Sequence, residues 1–147
     1  MSRVIWVMLP IAALALTGCG GGGPKLYPLS GRVLLNDTPI APKDKEIAFV
    51  EFTADKGAGN TSAHLPRGTI GPDGVYTVST NNQPGIEAGA WTARVVYNKP
   101  DEVGLKKSAY APPVSLIAAK FSDFGASGFK VTAGPDAPKA PDIKVSK

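Results

Sequence analysis

The chain is 147 residues long and carries 16 Lys and Arg against 12 Asp and Glu, a net charge of +4. The basic residues are scattered, with Lys106–Lys107 the one adjacent pair beyond the N-terminal stretch and no basic stripe interleaved with aromatics, which argues against nucleic-acid binding. One histidine and one cysteine are too few for a zinc site, which takes three or four Cys, His or carboxylate ligands; no disulfide can form, so an apolar core must carry the stability.

Residues 1–18 read as a secretory signal peptide. Ser2–Arg3 supply a small cationic start, and Val4 to Leu16 supply the apolar middle. That stretch contains Pro10 and is shorter than the about 20 residues a membrane-crossing helix needs, but it suits the apolar region of a signal. An exported chain normally pairs its cysteines. The single Cys19 is therefore either a free or buried thiol or a residue consumed by another modification. The run Leu16–Thr17–Gly18–Cys19 resembles the lipobox of bacterial lipoproteins, in which small residues precede a cysteine lipidated on sulfur. That resemblance implies cleavage before Cys19 and lipid attachment at Cys19. Because Gly20 is not acidic, it also implies outer-membrane rather than inner-membrane retention. A diacylglyceryl group carries two chains, which anchor stably where one holds only weakly.

Gly20 to Gly23, Pro24 and Lys25 continue as a flexible lead, so residues 19–27 form a lipidated tether. The glycine run is not a phosphate-binding loop, since no strand precedes it and no Gly-Lys-Ser/Thr ending follows. Cleavage leaves 129 residues (147 less the 18 removed), one domain's worth, assigned to residues 28–147. Short apolar stretches of period two, separated by Gly and Pro, predict an all-β fold.

The first predicted strand is Leu29–Leu35, with Leu29, Val33 and Leu35 on one face, and Asn36–Asp37–Thr38–Pro39 is a turn. Ile47–Thr53 is the second, with Ala48, Val50 and Phe52 inward; Ile47, Phe49 and Glu51 share a wetter, partly covered face. A polar loop runs from Ala54 to Pro66. Gly68–Ile70 and Val75–Thr80 flank Gly71–Pro72–Asp73–Gly74, whose Pro at the second position and Gly at the fourth suit a type I turn. Gln83 to Gly89 turns the chain again. Trp91–Tyr97 follows, with Trp91, Ala93, Val95 and Tyr97 inward and Thr92 and Arg94 outward. A long charged and proline-bearing connection spans Asn98 to Leu116. Ile117–Phe121 is a helical turn or a short strand, Gly128–Thr132 is a strand with Phe129 and Val131 inward, and Asp142–Ser146 is the last, with Ile143 and Val145 inward. Seven strands suit a two-sheet antiparallel sandwich.

The same elements carry a family resemblance. Gly31–Arg32–Val33, Val50–Glu51–Phe52, Asp73–Gly74–Val75–Tyr76 and Gly89–Ala90–Trp91–Thr92–Ala93 with Val95 are similar to the turn and core motifs of small bacterial lipoproteins with a carboxypeptidase-regulatory-like domain, a transthyretin-like (prealbumin-like) β-sandwich. Late in the chain, Ala118–Ala119–Lys120–Phe121–Ser122–Asp123 and Ser127–Gly128–Phe129 stand where that family often has a Pro-x-Lys-Tyr run and a serine-rich strand start; here Ala118 replaces the proline and Phe121 the tyrosine. The resemblance implies an envelope-anchored module and no reaction. The transthyretin-like hydroxyisourate hydrolases use several histidines and end in Tyr-Arg-Gly-Ser, whereas this chain has only His64 and ends Ile143–Lys144–Val145–Ser146–Lys147.

No catalytic residue, metal site or cofactor is expected. A general base needs a nucleophile and an orienting acid within hydrogen-bond reach; the acid nearest to His64 in sequence is Asp55, so His64 reads as a solvated loop residue. Asp101–Glu102 could join a calcium site, which takes several oxygen ligands, but two neighbouring loop carboxylates read more simply as solvated. Trp91 and Tyr97 could stack on a sugar if exposed, yet their alternation places them in the core. Tyr110 and Lys106–Lys107 make the long connection the expected contact region. The sequence thus favours a non-catalytic, lipid-anchored cell-envelope module, with the membrane as one partner and an envelope protein or polysaccharide as another. The alternative is a carbohydrate-binding module, which predicts an exposed aromatic pair such as Tyr110 with Phe124. An enzyme with a cryptic cleft would need clustered, pKa-perturbed polar groups.

Overall fold

The computed structural model describes residues 23–147; the signal peptide, Cys19 and Gly20 to Gly22 lie outside the described residues. Twelve strands follow in chain order: β1 (Leu26–Tyr27), β2 (Ser30–Leu35), β3 (Thr38–Pro39), β4 (Ile47–Ala54), β5 (Arg67–Ile70), β6 (Val75–Thr80), β7 (Gln83–Pro84), β8 (Ile86–Glu87), β9 (Gly89–Lys99), β10 (Val114–Ser115), β11 (Phe129–Ala133) and β12 (Ile143–Val145). A six-residue helix, α1 (Glu102–Lys107), and 3-10 turns at Lys56–Ala58 and Ala119–Ser122 complete the inventory. The protein is all-β, as the alternating apolar pattern requires. Each of the seven expected strands has its counterpart, in β2, β4, β5, β6, β9, β11 and β12.

One curled sheet holds the order β10–β9–β4–β5–β6–β2–β12, and β11 shares the outer edge of β9 with β10. The ladder is continuous, so hydrogen bonding does not divide it into two separate sheets. It also departs from the expected all-antiparallel pairing: β12 runs parallel to β2, with Ile143 opposite Val33 and Val145 opposite Leu35. Parallel neighbours need a long crossover rather than a hairpin, and these two are separated by most of the chain. The two ends of the sheet meet where the Ala118 N–H donates to the Ser146 carbonyl at 2.8 Å.

The core is built by alternation. Val50 and Phe52 on β4, Tyr76 and Val78 on β6, and Trp91, Ala93 and Val95 on β9 are fully buried, with Val33 and Ile86 beside them. Each large apolar side chain buried this way contributes about 1.5–3 kcal/mol. Trp91 and Tyr97 are core residues, as their spacing predicted. Phe129 is only half-buried and stacks on buried Phe121 at 5.7 Å. On the opposite face of β4, Phe49 lies under the Arg67 guanidinium, 3.4 Å from its ring centroid, which explains how an aromatic sits on the wetter side.

Two hairpins use two-residue loops with both residues left-handed, the type I′ arrangement that matches strand twist: Asn36 (φ 50°) and Asp37 (φ 65°) join β2 to β3, and Asn81 (φ 50°) and Asn82 (φ 64°) join β6 to β7. The first falls in the expected turn. The second precedes the turn expected over Gln83–Gly89, a segment that holds β7 and β8. The long connection is shorter than expected, because β9 runs on to Lys99 and α1 and β10 occupy part of what remains. At its N-terminal boundary, the folded body starts two residues inside the segment read as tether: Leu26 pairs with Glu87 and Tyr27 with Ile86.

Candidate functional site

Strand direction sorts the polar groups to two ends. In the β4–β9 pair, Ala54 faces Trp91 at one end and Ile47 faces Asn98 at the other. The first end receives the N-terminal strand β1, because its partner β8 lies just before β9. The second end gathers the turn after Pro42, the end of β9, α1 and β10. At about 3.3 Å per residue, the 11 residues of β9 separate the two ends by about 33 Å.

At the first end, His64 reaches across 23 residues of sequence, and its Nδ1 pairs with Glu87 Oε1. The expectation of a solvated histidine without an acidic neighbour is therefore corrected: sheet pairing supplies an acid that the local sequence does not. A short relay of turns places the imidazole. Asn60 Nδ2 donates to the Ala90 carbonyl at 2.8 Å, Ser62 N–H donates to Asn60 Oδ1 at 3.0 Å, and His64 N–H donates to Ser62 Oγ at 3.2 Å. Glu87 is held from behind, where Trp91 Nε1 donates to its carbonyl at 3.0 Å. His64 lines a cavity of about 200 Å³ together with Pro24, Leu26, Thr80 and Gln83. Of the nearby hydroxyls, Thr80 Oγ1 donates to the Gly85 carbonyl at 2.8 Å, and Ser62 Oγ accepts from the His64 amide. The His64–Glu87 pair clamps the Asn60–His64 loop to β8, the strand that receives β1.

At the second end, a groove of about 530 Å³ opens between the Lys43–Glu46 turn and the stretch from Lys99 to Val103, with Val114 on its far wall. Glu46 N–H donates to the Lys43 carbonyl at 3.0 Å and closes the turn. Glu46 Oε2 accepts from Lys43 N–H at 2.9 Å and from the Tyr97 hydroxyl at 2.7 Å. These bonds, the Lys43 amide first, hold the Glu46 carboxyl below its ordinary 4.5. Burial, aided by the bond to Glu46, pushes the Tyr97 hydroxyl up to about 12. Asp101 Oδ1 accepts from Gly104 N–H at 3.0 Å and caps α1, a usual role for aspartate at that position. Among the described residues no group of three or more His, Cys, Asp or Glu side chains is placed to hold a metal ion.

Between the two ends, the outer face carries a partly buried ion pair. Arg94 donates from Nε at 2.9 Å and Nη2 at 2.6 Å to Glu51 Oε2, and its guanidinium lies 4.6 Å from the Phe124 ring centroid. The aromatic pair expected from Tyr110 and Phe124 does not form. Phe124 sits half-buried under Arg94, Tyr110 stands 80% exposed beyond α1, and the aromatic contacts among the described residues are Phe52–Tyr76 and Phe121–Phe129. Lys106 and Lys107 fall in the last turn of α1, where positive charge suits the helix C-terminus. Sequence reasoning missed Glu87, whose partner His64 lies 23 residues away, and the Lys43–Glu46 turn, whose closing bonds are local but whose tie to Tyr97 spans 51 residues. No described helix is long and apolar enough to cross a membrane. The chain matches no family model, no curated protein and no solved structure.

Proposed function

We propose that this protein is an exported, lipid-anchored β-sandwich of the transthyretin-like kind that works in the bacterial cell envelope as a non-catalytic binding or spacing module. The observation that carries this reading is Leu16–Thr17–Gly18–Cys19 at the end of an apolar stretch, with Cys19 the chain's one cysteine. The fold supports it in two ways. The curled sheet encloses a core to which all seven expected strands contribute, with short strands added. The body then begins at Leu26, seven residues after Cys19, so an extended lead holds it within about 25 Å of the lipid. Gly20, in place of an acidic residue, favours the outer membrane.

Metabolic labelling with an alkyne fatty acid and intact-mass analysis of the native chain test the anchor. The expected species starts at Cys19 with a diacylglyceryl group on sulfur, and Cys19→Ser takes up no label. A native chain that retains Met1, or that starts at Cys19 with a bare thiol, refutes the anchor.

A further inference from the structure

We propose that the gap beside the start of β2 binds a small zwitterion with an apolar side chain, an amino acid or the dipeptide built from one. The ladder between β12 and β2 begins only at Ile143 opposite Val33, whereas β6 pairs with β2 from Ser30 onward. Ser30 to Arg32 therefore have a strand on one side only. A cavity of about 220 Å³ lies there, lined by Ser30, Gly31 and Arg32 and, from the segment that leads into β12, by Lys139 and Asp142. The Leu29 carbonyl accepts from Val78 N–H, and Val33 N–H donates to the Gly74 carbonyl, each at 2.9 Å. Those positions face β6, so by alternation Ser30 turns its N–H and carbonyl the other way, as a strand edge does for an extended guest.

The cavity carries charge of both signs. Arg32 and Lys139 supply two cations and Asp142 one carboxylate. None of the three belongs to the four ion pairs among the described residues, which join His64–Glu87, Arg94–Glu51, Lys130–Asp55 and Lys144–Asp37. A simple anion would meet Asp142 as a like charge, and a simple cation would meet Arg32 and Lys139; both contacts are repulsive. A zwitterion answers all three, with its carboxylate on Arg32 and Lys139 and its ammonium on Asp142. A neutral sugar would leave the charges unanswered.

A buried group without a partner marks the same place. The Tyr76 hydroxyl is fully buried and unpaired among the described residues. It lies directly behind Gly31, where a Cβ would sit 2.6 Å from it, so the glycine leaves no side chain between the phenol and the cavity. Burial and the nearby charge of Asp142 push this phenol up to about 12, which keeps it a hydrogen-bond donor. An unpaired buried hydroxyl is costly to keep and points to a partner that is not part of the chain.

An adjoining hollow selects the side chain. It measures about 140 Å³, shares Ser30 and Lys139 with the cavity, and is lined by the buried Leu29, Ala133 and Ala140. Those side chains offer no hydrogen bond, so an apolar group suits them. The site gives a ligand to the binding role proposed above, and in that clause alone it rests on that reading.

Calorimetric titration of the full native chain in detergent with L-leucine and with leucylglycine tests this. Saturable binding of at least one is expected, and the tighter of the two tells a free amino acid from a peptide. Arg32→Ala/Lys139→Ala and Asp142→Asn should each weaken binding at least tenfold, and Lys106→Ala should leave it unchanged. Tyr76→Phe should weaken it about threefold while the melting temperature without ligand stays the same or rises, a split that a purely structural role does not produce. Leucinamide and N-acetylleucine, each short of one charge, should bind at least tenfold more weakly than leucine. Absence of saturable binding, parental affinity in the charge variants or in Tyr76→Phe, or equal binding of either blocked leucine overturns the proposal. Equal binding of acetate overturns it in favour of a simple anion site, and equal binding of L-glutamate overturns the apolar class. The titration does not depend on the lipid, so a bare Cys19 with intact leucine binding refutes the anchor alone, and a lipidated chain that binds neither ligand refutes the site alone.

Discussion

The hydroxyl of Tyr76 lies directly under the α-carbon of Gly31, its cross-strand partner; a Cβ built on Gly31 would sit 2.6 Å from that oxygen and 2.8 Å from the ring carbon that bears it. No side chain fits between them. Gly31→Ala is expected to destabilise the fold by about 1–3 kcal/mol through overpacking, read as a lower urea midpoint with an unchanged slope. The Tyr76 hydroxyl is fully buried and has no hydrogen-bond partner among the described residues. A buried unpaired hydroxyl costs about 1–3 kcal/mol, so Tyr76→Phe should be neutral or stabilising. A clear loss of stability in Tyr76→Phe would show that the hydroxyl has a partner.

This relationship also shows what the sequence could and could not tell. Gly31 and Tyr76 both stood out in the sequence, one as the opening of a strand motif and one as an inward position, and alternation placed the buried faces of the longer strands, from Val33 and Val50 to Trp91 and Val145, but not Ile40, Ile86 and Ala140, which are buried from segments read as turns. The parallel pairing of β12 with β2 was not legible, because strand direction in a sheet depends on how distant segments return and leaves no local mark. The Asn81–Asn82 turn carried a signal that could have been read, since two consecutive residues tolerant of positive φ between β-type stretches favour a type I′ loop. Glu87 and Glu46 carried none. Glu87 gains its role from His64, brought close by folding, and Glu46 its tie to the sheet from Tyr97, 51 residues on.

Two tyrosines set the alkaline limit of the fold. Burial, with Asp142 nearby, pushes Tyr76 up to about 12, and burial with the Glu46 bond does the same for Tyr97. Both values stand above the ordinary 10.0, so the native state favours the protonated phenols. Stability is therefore unaffected by their titration below pH 10 and falls as pH rises from 10 towards 12, where ionising them costs the folded state more than the unfolded chain. Absorbance titration at alkaline pH should show two phenols ionising late, together with unfolding, and Tyr97→Phe should remove one of them. On the acid side the sign reverses for Glu46. Its lowered value means that its contribution is present above pH 4.5 and fades as pH falls through the folded value.

Arg94 and Glu51 face each other on β9 and β4, both partly shielded from solvent, and the guanidinium also covers Phe124. Arg94→Lys keeps the charge but loses both the planar stack and the second nitrogen on Glu51 Oε2. It is expected to cost about 1 kcal/mol. Glu51→Gln in the Arg94→Lys background should cost little more than either change alone, because the two share one interaction. Strict additivity of the two losses in a double-mutant cycle would mean that the ion pair contributes nothing.

The His64–Glu87 pair ties the Asn60–His64 loop to the strand that receives β1, so its loss should be felt first at the root of the N-terminal lead. His64→Ala and Glu87→Ala each remove the clamp while leaving the Leu26–Glu87 and Tyr27–Ile86 backbone pairing and the Trp91 bond to the Glu87 carbonyl chemically intact. The expected result is local: faster amide exchange at Leu26, Tyr27 and the loop from Asn60 to His64. The global midpoint should shift by no more than about 1 kcal/mol. The trunk of the sheet, from Phe52 to Val95, should keep its protection. If β1 exchanges at the same rate in the parent and both variants, backbone pairing alone holds the root, and the imidazole–carboxylate pair has no part in it.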